Sequence, residues 1–319
     1  TRMFSEEPKV LHKLADQPML QYVIDIANEL NPKNISVIVG YKAKEVKHAF
    51  PHEKVNWILQ EKQLGTGDAV KCAIPNLIGQ QTLILYGDVP LIKINELKKL
   101  IKKGEKGLSI LTFDKINPTG YGRIVRGLND VEAIVEEKDC SDDQKEITEV
   151  NTGIMVADTK YLINWLSLIS NINSQKEYYL TDIVALAKKD SIKINTIEAS
   201  SEITVSGVNS KIELAKMERA IQLKKSNALM EQGVTLLDPS RTDIRGHLDC
   251  GTDVVIDVGC IFEGKVKIGK NVTIGAYSIL KDSEILNDSI IKPYSHIDNA
   301  KVGKNNIIGP YARLRPGTV

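Results

Sequence analysis

Bulky apolar side chains return every six residues in the last quarter of this chain. The first positions in phase are Ile256, Phe262, Ile268, Ile274 and Leu280. After a slip in phase near Leu286, the later positions are Ile291, Ile297, Val302, Ile308 and Leu314. A helix repeats every 3.6 residues and a strand every two, so neither regular element explains a period of six. Short strands joined by sharp corners do, and they predict a triangular β-helix whose repeated residue points to its axis.

Two further regularities argue against a chance run of Ile and Val in an ordinary β domain. Smaller side chains follow several of the bulky ones at an offset of four, namely Cys260, Val266, Val272 and Ser278. Glycine also stands directly after many of the bulky residues, as at Gly269, Gly275, Gly303 and Gly309. We therefore interpret this region as a hexapeptide-repeat β-helix.

Length and charge restrict the function of the rest of the chain. A chain of 319 residues is long enough for two domains. Its 42 basic and 41 acidic residues leave no basic groove for nucleic acid and no polybasic patch for a membrane. No apolar run is long enough to span a membrane. The four cysteines lack paired spacing, which favours reduced thiols and a cytoplasmic protein.

The first two-thirds of the chain alternate between strand and helix patterns. Residues 34–40, 55–60 and 82–86 are predicted as strands, and residues 43–50 and 66–73 as helices. This alternation predicts an α/β domain with a mostly parallel sheet, in which ligands bind beyond the carboxyl ends of the strands. Residues 210–232 are polar and free of Pro and Gly, which indicates one long helix.

Three segments follow from these patterns. We predict an α/β domain over 1–209, a linking helix over 210–232 and the β-helix over 233–319. The long helix has an alternative interpretation as the last helix of the α/β core, which its narrow apolar stripe makes less favoured.

Two motifs lie where a predicted strand ends. Asp88 follows the strand at 82–86, where a carboxylate can hold a divalent ion, although Gly-Asp-Val-Pro is also an ordinary turn. Gln60 follows another strand and offers an amide to the edge of a nucleobase. The glycines at 65 and 67 allow a ligand to approach the backbone. The alternative is a tight strand-to-helix connection capped by Thr66.

Other polar groups gain meaning only in combination. Arg2 and Lys9 could bind phosphate oxygens, although two cations near a terminus are usually solvated surface. Polar clusters at 121–123, 135–138, 149–153 and 177–182 suit the hydroxyls of a sugar, and each alone could be a turn or a cap.

Together these motifs resemble the sugar-nucleotide pyrophosphorylases. The resemblance rests on Thr-Arg-Met at 1–3, Pro-Lys-Val at 8–10, Leu-Gly-Thr-Gly at 64–67 and Leu-Tyr-Gly-Asp-Val-Pro at 85–90. It also rests on Tyr-Gly-Arg at 121–123, Asn-Thr-Gly at 151–153, Glu-Tyr-Tyr-Leu-Thr-Asp at 177–182 and Gly-Val-Asn at 207–209. With the β-helix behind them, the chain is identified as a member of the bacterial bifunctional N-acetylglucosamine-1-phosphate uridyltransferase and glucosamine-1-phosphate N-acetyltransferase family.

The resemblance implies a Rossmann-like nucleotidyltransferase domain followed by a left-handed β-helix that forms homotrimers. It implies that Arg2, Lys9 and Asp88 are catalytic, and that Asp88 and Asn209 hold one Mg²⁺. The implied substrates are UTP and N-acetylglucosamine-1-phosphate. The implied substrate-binding residues are Gln60, Gly65, Thr66, Tyr86, Gly87, Gly122, Glu136, Asn151, Tyr179, Thr181, Asn209 and Arg315.

The resemblance also implies that both ends are truncated. The family's glycine-rich loop precedes Thr-Arg-Met, so we expect weak UTP binding or no activity from the chain as it stands. Acetyl transfer from acetyl-CoA to glucosamine-1-phosphate is expected only of a longer parent, since residues 313–317 match just the start of that site. The alternatives are another sugar-1-phosphate nucleotidyltransferase, such as an ADP-glucose pyrophosphorylase, and a catalytically silent regulatory homologue.

Overall fold

The computed structural model describes residues 3–127 and 130–318. The chain divides into two units, of which the first contains residues 1–12 and 19–209 and the second contains residues 13–18 and 210–319. A hairpin of β1 (Lys13–Leu14) and β2 (Gln17–Pro18) thus belongs to the second unit. It is held there by the Ala15 N–H, which donates to the Glu218 carboxylate at 2.7 Å.

The first unit alternates strands and helices, as the sequence predicts. Its strands are β3 (Ser36–Val39), β4 (Asn56–Leu59), β5 (Gln81–Ile84), β6 (Leu108–Asp114), β7 (Arg123–Arg126), β8 (Val131–Val135), β9 (Glu149–Asp158) and β10 (Ile194–Glu198). Its helices are α1 (Met19–Glu29), α2 (Ala43–Ala49), α3 (Thr66–Cys72), α4 (Ile94–Lys103), α5 (Asp142–Lys145), α6 (Thr159–Leu168), α7 (Ile183–Lys189) and α8 (Glu202–Val205).

The α/β fold class is confirmed, and in the six-stranded sheet the central strand β9 and the edge strand β8 run opposite to the other four strands. Strand β3 pairs in parallel with β4, and β6 pairs in parallel with β10. Strand β9 runs antiparallel to β5, β6 and β7, and β7 runs antiparallel to β8. The apolar pattern of a buried strand does not encode its direction, so the sequence could not reveal this insertion.

Strand β9 separates the two main hydrophobic clusters of the first unit. On one face Met155 and Ala157 join a cluster that contains Trp165 of α6. On the other face Val156 joins a cluster that contains Leu97 of α4. Successive strand side chains point to opposite faces, so a strand buried on both sides has apolar residues at every position here. The clusters fix β9, which carries Asn151 near its start.

The second unit begins with the long helix α9 (Lys211–Glu231), which is followed by Gly233 at a φ of 94°. Its strands are β11 (Thr235–Leu236), β12 (Asp243–Cys250), β13 (Val255–Ile256), β14 (Ile261–Ile268), β15 (Thr273–Ile274), β16 (Ile279–Lys281), β17 (Glu284–Ile285), β18 (Ile290–Ile291), β19 (His296–Asp298), β20 (Lys301–Val302), β21 (Ile307–Ile308) and β22 (Arg313–Leu314). All pairs among these strands are parallel, as coils of a β-helix require.

The register of the coils explains the slip in the six-residue repeat. Ile261 pairs with Ile279, eighteen residues on, whereas Ile279 pairs with His296, seventeen residues on. One corner of the later coils is therefore a residue shorter. Ile285, which is 0 % exposed, takes the inward position after Leu280. The predicted repeat is confirmed, and its change of phase is a one-residue deletion at a corner.

We expect the inward residues to carry the stability of the second unit. Ile274 is 0 % exposed in its core, so Ile274→Ala should lower the free energy of unfolding by about 2–5 kcal/mol through lost burial and a residual cavity. Ile307 is 62 % exposed, and Ile307→Ala is the matched control with an expected change within about 0.5 kcal/mol. Urea denaturation followed by circular dichroism measures both. Similar losses in the two variants would contradict the inward assignment.

Within the described ranges, no helix is both long enough and apolar enough to cross a membrane.

Candidate functional site

Three segments of the first unit meet beyond the C-terminal end of strand β5. The strand ends at Ile84, so Tyr86, Gly87 and Asp88 lie in the connection that follows it. The Lys9 ammonium donates to the Asp88 carboxylate and, at 2.8 Å, to the amide oxygen of Asn209. The segment before Asn209 is anchored as well, since the Val208 N–H donates to the Asp88 carbonyl at 3.0 Å. One cation thus already bridges the two side-chain oxygens.

The donor set of Asp88 and Asn209 fits a hard divalent cation. A carboxylate and an amide oxygen are ligands that Mg²⁺ accepts, with waters and substrate phosphates completing its coordination. Their convergence on one ammonium group indicates that both oxygens can face a single positive charge. No cluster of three or more His, Cys, Asp or Glu side chains with metal-binding geometry occurs in the described parts of the chain.

A cavity of about 500 Å³ adjoins Lys9 and Asn209. Pro8, Val39 and Gly40 also line it, so its walls come from the N-terminal segment and from the end of β3. This volume lies within the range of about 300–1,000 Å³ that small-molecule sites occupy. The cavity is therefore large enough for a nucleotide beside the Lys9 ammonium.

The connection between β4 and α3 presents Gln60 and a glycine corner. Gln60 is 8 % exposed, and its amide N–H₂ donates to the Gly65 carbonyl at 3.2 Å and to the Asp68 carboxylate at 2.8 Å. Gly65 precedes the helix at a φ of 115°, and a Cβ there would lie 2.5 Å from the Tyr178 carbonyl oxygen. Only glycine satisfies both conditions.

Thr66 has a different role from the helix cap that the alternative interpretation gave it. Gly65 occupies the capping position, and the Thr66 hydroxyl accepts a hydrogen bond from the Leu180 N–H at 3.1 Å. The Gly67 N–H donates to the Tyr178 carbonyl at 2.8 Å. The glycine corner is thereby joined to the segment that carries Tyr179 and Thr181.

A polar pocket forms around Glu136. The Thr181 hydroxyl donates to the Glu136 carboxylate at 2.9 Å. Gly122 lies beside the same carboxylate, since a Cβ on it would be 3.5 Å from Glu136 Oε2. The Asn151 N–H donates to the Gly122 carbonyl at 2.8 Å, which brings β9 to this pocket. Donors and acceptors at fixed positions of this kind suit a sugar.

Tyr86 links the pocket to the carboxylate at Asp88. Its ring packs against Gly153, where the φ of 85° and a distance of 2.5 Å from a built Cβ to the ring both require glycine. Burial raises the pKa of the Tyr86 phenol, and the nearby charges of Glu136 and Asp88 raise it further. Tyr86 is therefore a neutral hydrogen-bonding group at physiological pH.

Burial also raises the pKa of Glu136, while its hydrogen bond from Thr181 opposes that shift. Since the folded pKa lies above the unfolded one, the ionised carboxylate destabilises the fold at neutral pH. We expect Glu136→Gln to raise the midpoint of thermal unfolding at neutral pH by a few degrees at most. The advantage should disappear as pH falls below the ordinary pKa of a glutamate, where both states are protonated. Scanning calorimetry across pH tests this, with exposed Glu132→Gln as the control. A gain for Glu136→Gln that is independent of pH would contradict it.

The Tyr179 hydroxyl is engaged within the protein. It donates to the Asp139 carboxylate at 3.1 Å and accepts from the Gln175 amide at 2.9 Å. The Ser174 N–H also donates to Asp139, at 3.0 Å. Tyr179 is 7 % exposed, so it serves this region as a buried wall.

Several residues that support the site were absent from the prediction. Asp68, Asp139 and Gln175 hold predicted site residues in place, yet each is an ordinary polar residue in the sequence. Asp68 follows the Leu-Gly-Thr-Gly motif directly, and this adjacency was the one available signal.

The last predicted site residues are Arg2, Arg315 and Gly87. Arg2 lies outside the described residues, so its proposed role is carried by the sequence alone. Arg315 is exposed near the end of the second unit, where its carbonyl accepts from the Thr318 N–H at 3.1 Å. Gly87 lies in the first unit. A Cβ built on Gly87 would be 3.2 Å from the Leu20 side chain.

Comparison with known proteins identifies relatives over nearly the whole chain. A protein of Nitrosomonas europaea called "Bifunctional protein GlmU" is 52 % identical, and the match covers 99 % of this chain and 70 % of that protein. Proteins of the same name are 50 % identical in Nitrosospira multiformis, with 99 % and 70 % covered, and in a Janthinobacterium species, with 100 % and 71 % covered. A MobA-like NTP transferase domain matches residues 1–131, and a GMPPB C-terminal domain matches residues 244–319.

Solved structures are similar to the chain in fold. A UDP-glucose pyrophosphorylase complexed with UDP-glucose gives a TM-score of 0.54 at 15 % identity, covering 68 % of this chain and 91 % of that one. A putative glucose-1-phosphate thymidylyltransferase from Bacillus anthracis gives 0.51 at 15 % identity, covering 66 % and 86 %.

Proposed function

The chain belongs to the family of bifunctional GlmU proteins, and from this premise we propose which residues perform its first reaction. That reaction is nucleotidyl transfer that forms UDP-N-acetylglucosamine. The family's parent activity is bifunctional, with acetyl transfer as the second reaction. Enzymes of this type generally use a divalent metal, and we assign Mg²⁺ to the oxygens of Asp88 and Asn209.

The observation that carries the proposal is the convergence of Asp88 and Asn209 on the Lys9 ammonium beside the cavity. A silent regulatory homologue has no need of a paired acceptor set and a cation next to a nucleotide-sized space. The arrangement suits the phosphates of UTP, whose charge must be neutralised before two anions can meet.

In the proposed reaction, a phosphate oxygen of N-acetylglucosamine-1-phosphate attacks the α-phosphorus of UTP. The new P–O bond forms as the bond to the β-phosphate oxygen breaks, and pyrophosphate leaves with the electron pair. The nucleophile is already an anion, so no general base is required. Lys9 and Arg2 bind phosphate oxygens and offset the negative charge that accumulates. Bound Mg²⁺ supplies further charge neutralisation.

The remaining residues divide between the base and the sugar. Gln60, Gly65 and Thr66 take the uracil, because the glycine corner admits a flat ring and Gln60 offers an amide. Tyr86 and Gly87 contact the nucleotide near Asp88.

The proposed sugar pocket has Glu136 at its centre. Thr181 and Gly122 lie beside that carboxylate, and the Asn151 N–H donates to the Gly122 carbonyl. We assign Tyr179 and Asn209 to the same N-acetylglucosamine site. The hydrogen bond from Thr181 holds the Glu136 carboxylate in place before the sugar arrives.

For the second unit, we propose the acetyl-transfer half of the parent function. Residues 233–319 would be the first coils of that domain, residues 210–232 the link and residues 1–209 the uridyltransferase. Arg315 would meet the phosphate of glucosamine-1-phosphate, with acetyl-CoA as the acetyl donor, and the β-helices would assemble as homotrimers. Four free thiols fit a reducing, cytoplasmic setting.

Pyrophosphate release from UTP and N-acetylglucosamine-1-phosphate with Mg²⁺ tests the proposal. The assay compares this chain with a copy extended by the family's glycine-rich loop, called the extended chain below. Activity in the extended chain, and none with ADP-glucose precursors, would support the uridyltransferase. A folded extended chain without activity would favour the regulatory alternative.

A further inference from the structure

The orientation of the Gln60 amide is fixed by two groups that can only accept hydrogen bonds. The Gly65 carbonyl has no proton to give, and a carboxylate such as that of Asp68 only accepts hydrogen bonds. Both lie within hydrogen-bond distance of Nε2, at 3.2 and 2.8 Å. A rotation of the amide by 180° would set its oxygen against two acceptors. The Asp68 carboxylate and the Gly65 carbonyl therefore keep the Gln60 N–H₂ group turned toward them.

This orientation leaves the carbonyl oxygen Oε1 as the unused half of the amide. No donor from residues 3–127 or 130–318 contacts it, and Gln60 as a whole is 8 % exposed. Oε1 is not among the buried side-chain atoms without a hydrogen-bond partner in the described residues, so it is open to solvent and can accept from a ligand. The chemistry that fits it is a ring N–H.

We infer that Asp68 is a positioning residue that sets the base selectivity of the enzyme by presenting Gln60 as an acceptor. The inference rests on the proposed function, in which Gln60 meets the base. Uracil carries an N–H at ring position 3, whereas cytosine carries a lone pair there. Gln60 Oε1 therefore accepts from uracil and repels cytosine.

The expected selectivity for UTP over CTP arises because cytosine cannot make the hydrogen bond to Gln60 Oε1 that uracil makes. A site built to pair with a substrate N–H rejects an analogue that lacks it more strongly than an apolar pocket rejects a missing methylene. Weakening the hold on the amide lets it rotate, so that N–H₂ faces the base and suits cytosine. The loss of Asp68 should thus reduce activity with UTP and improve the relative use of CTP.

The test compares Asp68→Asn and Asp68→Ala in the extended chain. The measured quantity is kcat/KM for UTP, 5-methyl-UTP and CTP with N-acetylglucosamine-1-phosphate. We expect the ratio of UTP to CTP to fall by about tenfold in the variants, the equivalent of one ordinary hydrogen bond. The ratio of UTP to 5-methyl-UTP should not change, because both bases present the same N–H. Exposed Lys71→Ala, on the same helix, should leave all ratios at the wild-type value.

The outcomes separate the inference from the proposed function. Equal losses with UTP and CTP would show that Asp68 only supports the fold, and would overturn the inference. A wild-type enzyme that uses UTP and CTP equally would also overturn it. A wild-type extended chain that transfers no uridylyl group would instead contradict the proposed function. Two variants are used because Asn keeps the side-chain shape but loses the charge, whereas Ala removes the side-chain acceptor and leaves only the Gly65 carbonyl.

Discussion

Asp88→Asn is expected to lower kcat/KM for uridylyl transfer by on the order of 10²- to 10³-fold, the usual effect of removing one preorganised electrostatic stabiliser. The substitution keeps the shape of the side chain and removes its charge. Asp88 accepts from Lys9 at the cavity, so the change weakens both the proposed metal site and the placement of the ammonium. The metal concentration for half-maximal rate should rise as well.

Asp114→Asn is the matched control for Asp88→Asn. Asp114 is the last residue of β6 in the same sheet, whereas Asp88 lies in the connection after β5, and Asp114 is exposed. Its replacement should leave kcat/KM within about twofold of wild type, since surface substitutions away from special features perturb little. Steady-state pyrophosphate release by the extended chain measures both variants. Comparable activity of Asp88→Asn and wild type would remove Asp88 from the catalytic role.

The β-helix could be predicted closely because its period is a property of the chain itself. Each inward position must be apolar, so residues such as Ile268 and Ile274 repeat regardless of the rest of the protein. The shorter corner could not be located from composition, because Ile285 and Leu286 are both apolar. Only the register of the parallel strands distinguishes the buried residue from its neighbour.

In the first unit, the site residues at the ends of strands could be predicted from the sequence. The residues between strands could be predicted less well. Asp88 and Asn209 are far apart in the chain, and the resemblance paired them before the structure brought them to one ammonium group. The residues that hold these site residues in place could not be predicted in this way. Asp68 beside Gln60 and Asp139 beside Tyr179 act through single hydrogen bonds, and a sequence carries no periodic trace of such contacts.

The structural role of the charged residue Arg123 could not be predicted from the sequence either. The sequence predicts that Tyr-Gly-Arg at 121–123 is a polar cluster suited to a sugar. In the structure Arg123 is 1 % exposed, and its guanidinium lies 2.7 Å from the Glu137 carboxylate. It also donates to the Lys145 carbonyl at 3.4 Å and to the Tyr121 carbonyl. The residue therefore ties β7 to the segment that follows β8.

Arg123→Ala should lower the free energy of unfolding by about 3–5 kcal/mol, the range for breaking a buried ion pair from one side. The variant leaves the Glu137 carboxylate without its cation, and because that side chain is 31 % exposed, the loss should lie toward the lower end of this range. Arg126→Ala, on the same strand, is the matched control. Arg126 pairs with Glu149 at 2.6 Å, but its side chain is 41 % exposed, so solvent screens the pair and the expected loss is about 0–1 kcal/mol. Urea denaturation of both variants decides the matter. Equal losses would mean that burial of Arg123 contributes nothing beyond a surface ion pair, whereas a several-fold difference would identify Arg123 as a structural support beneath the sugar pocket.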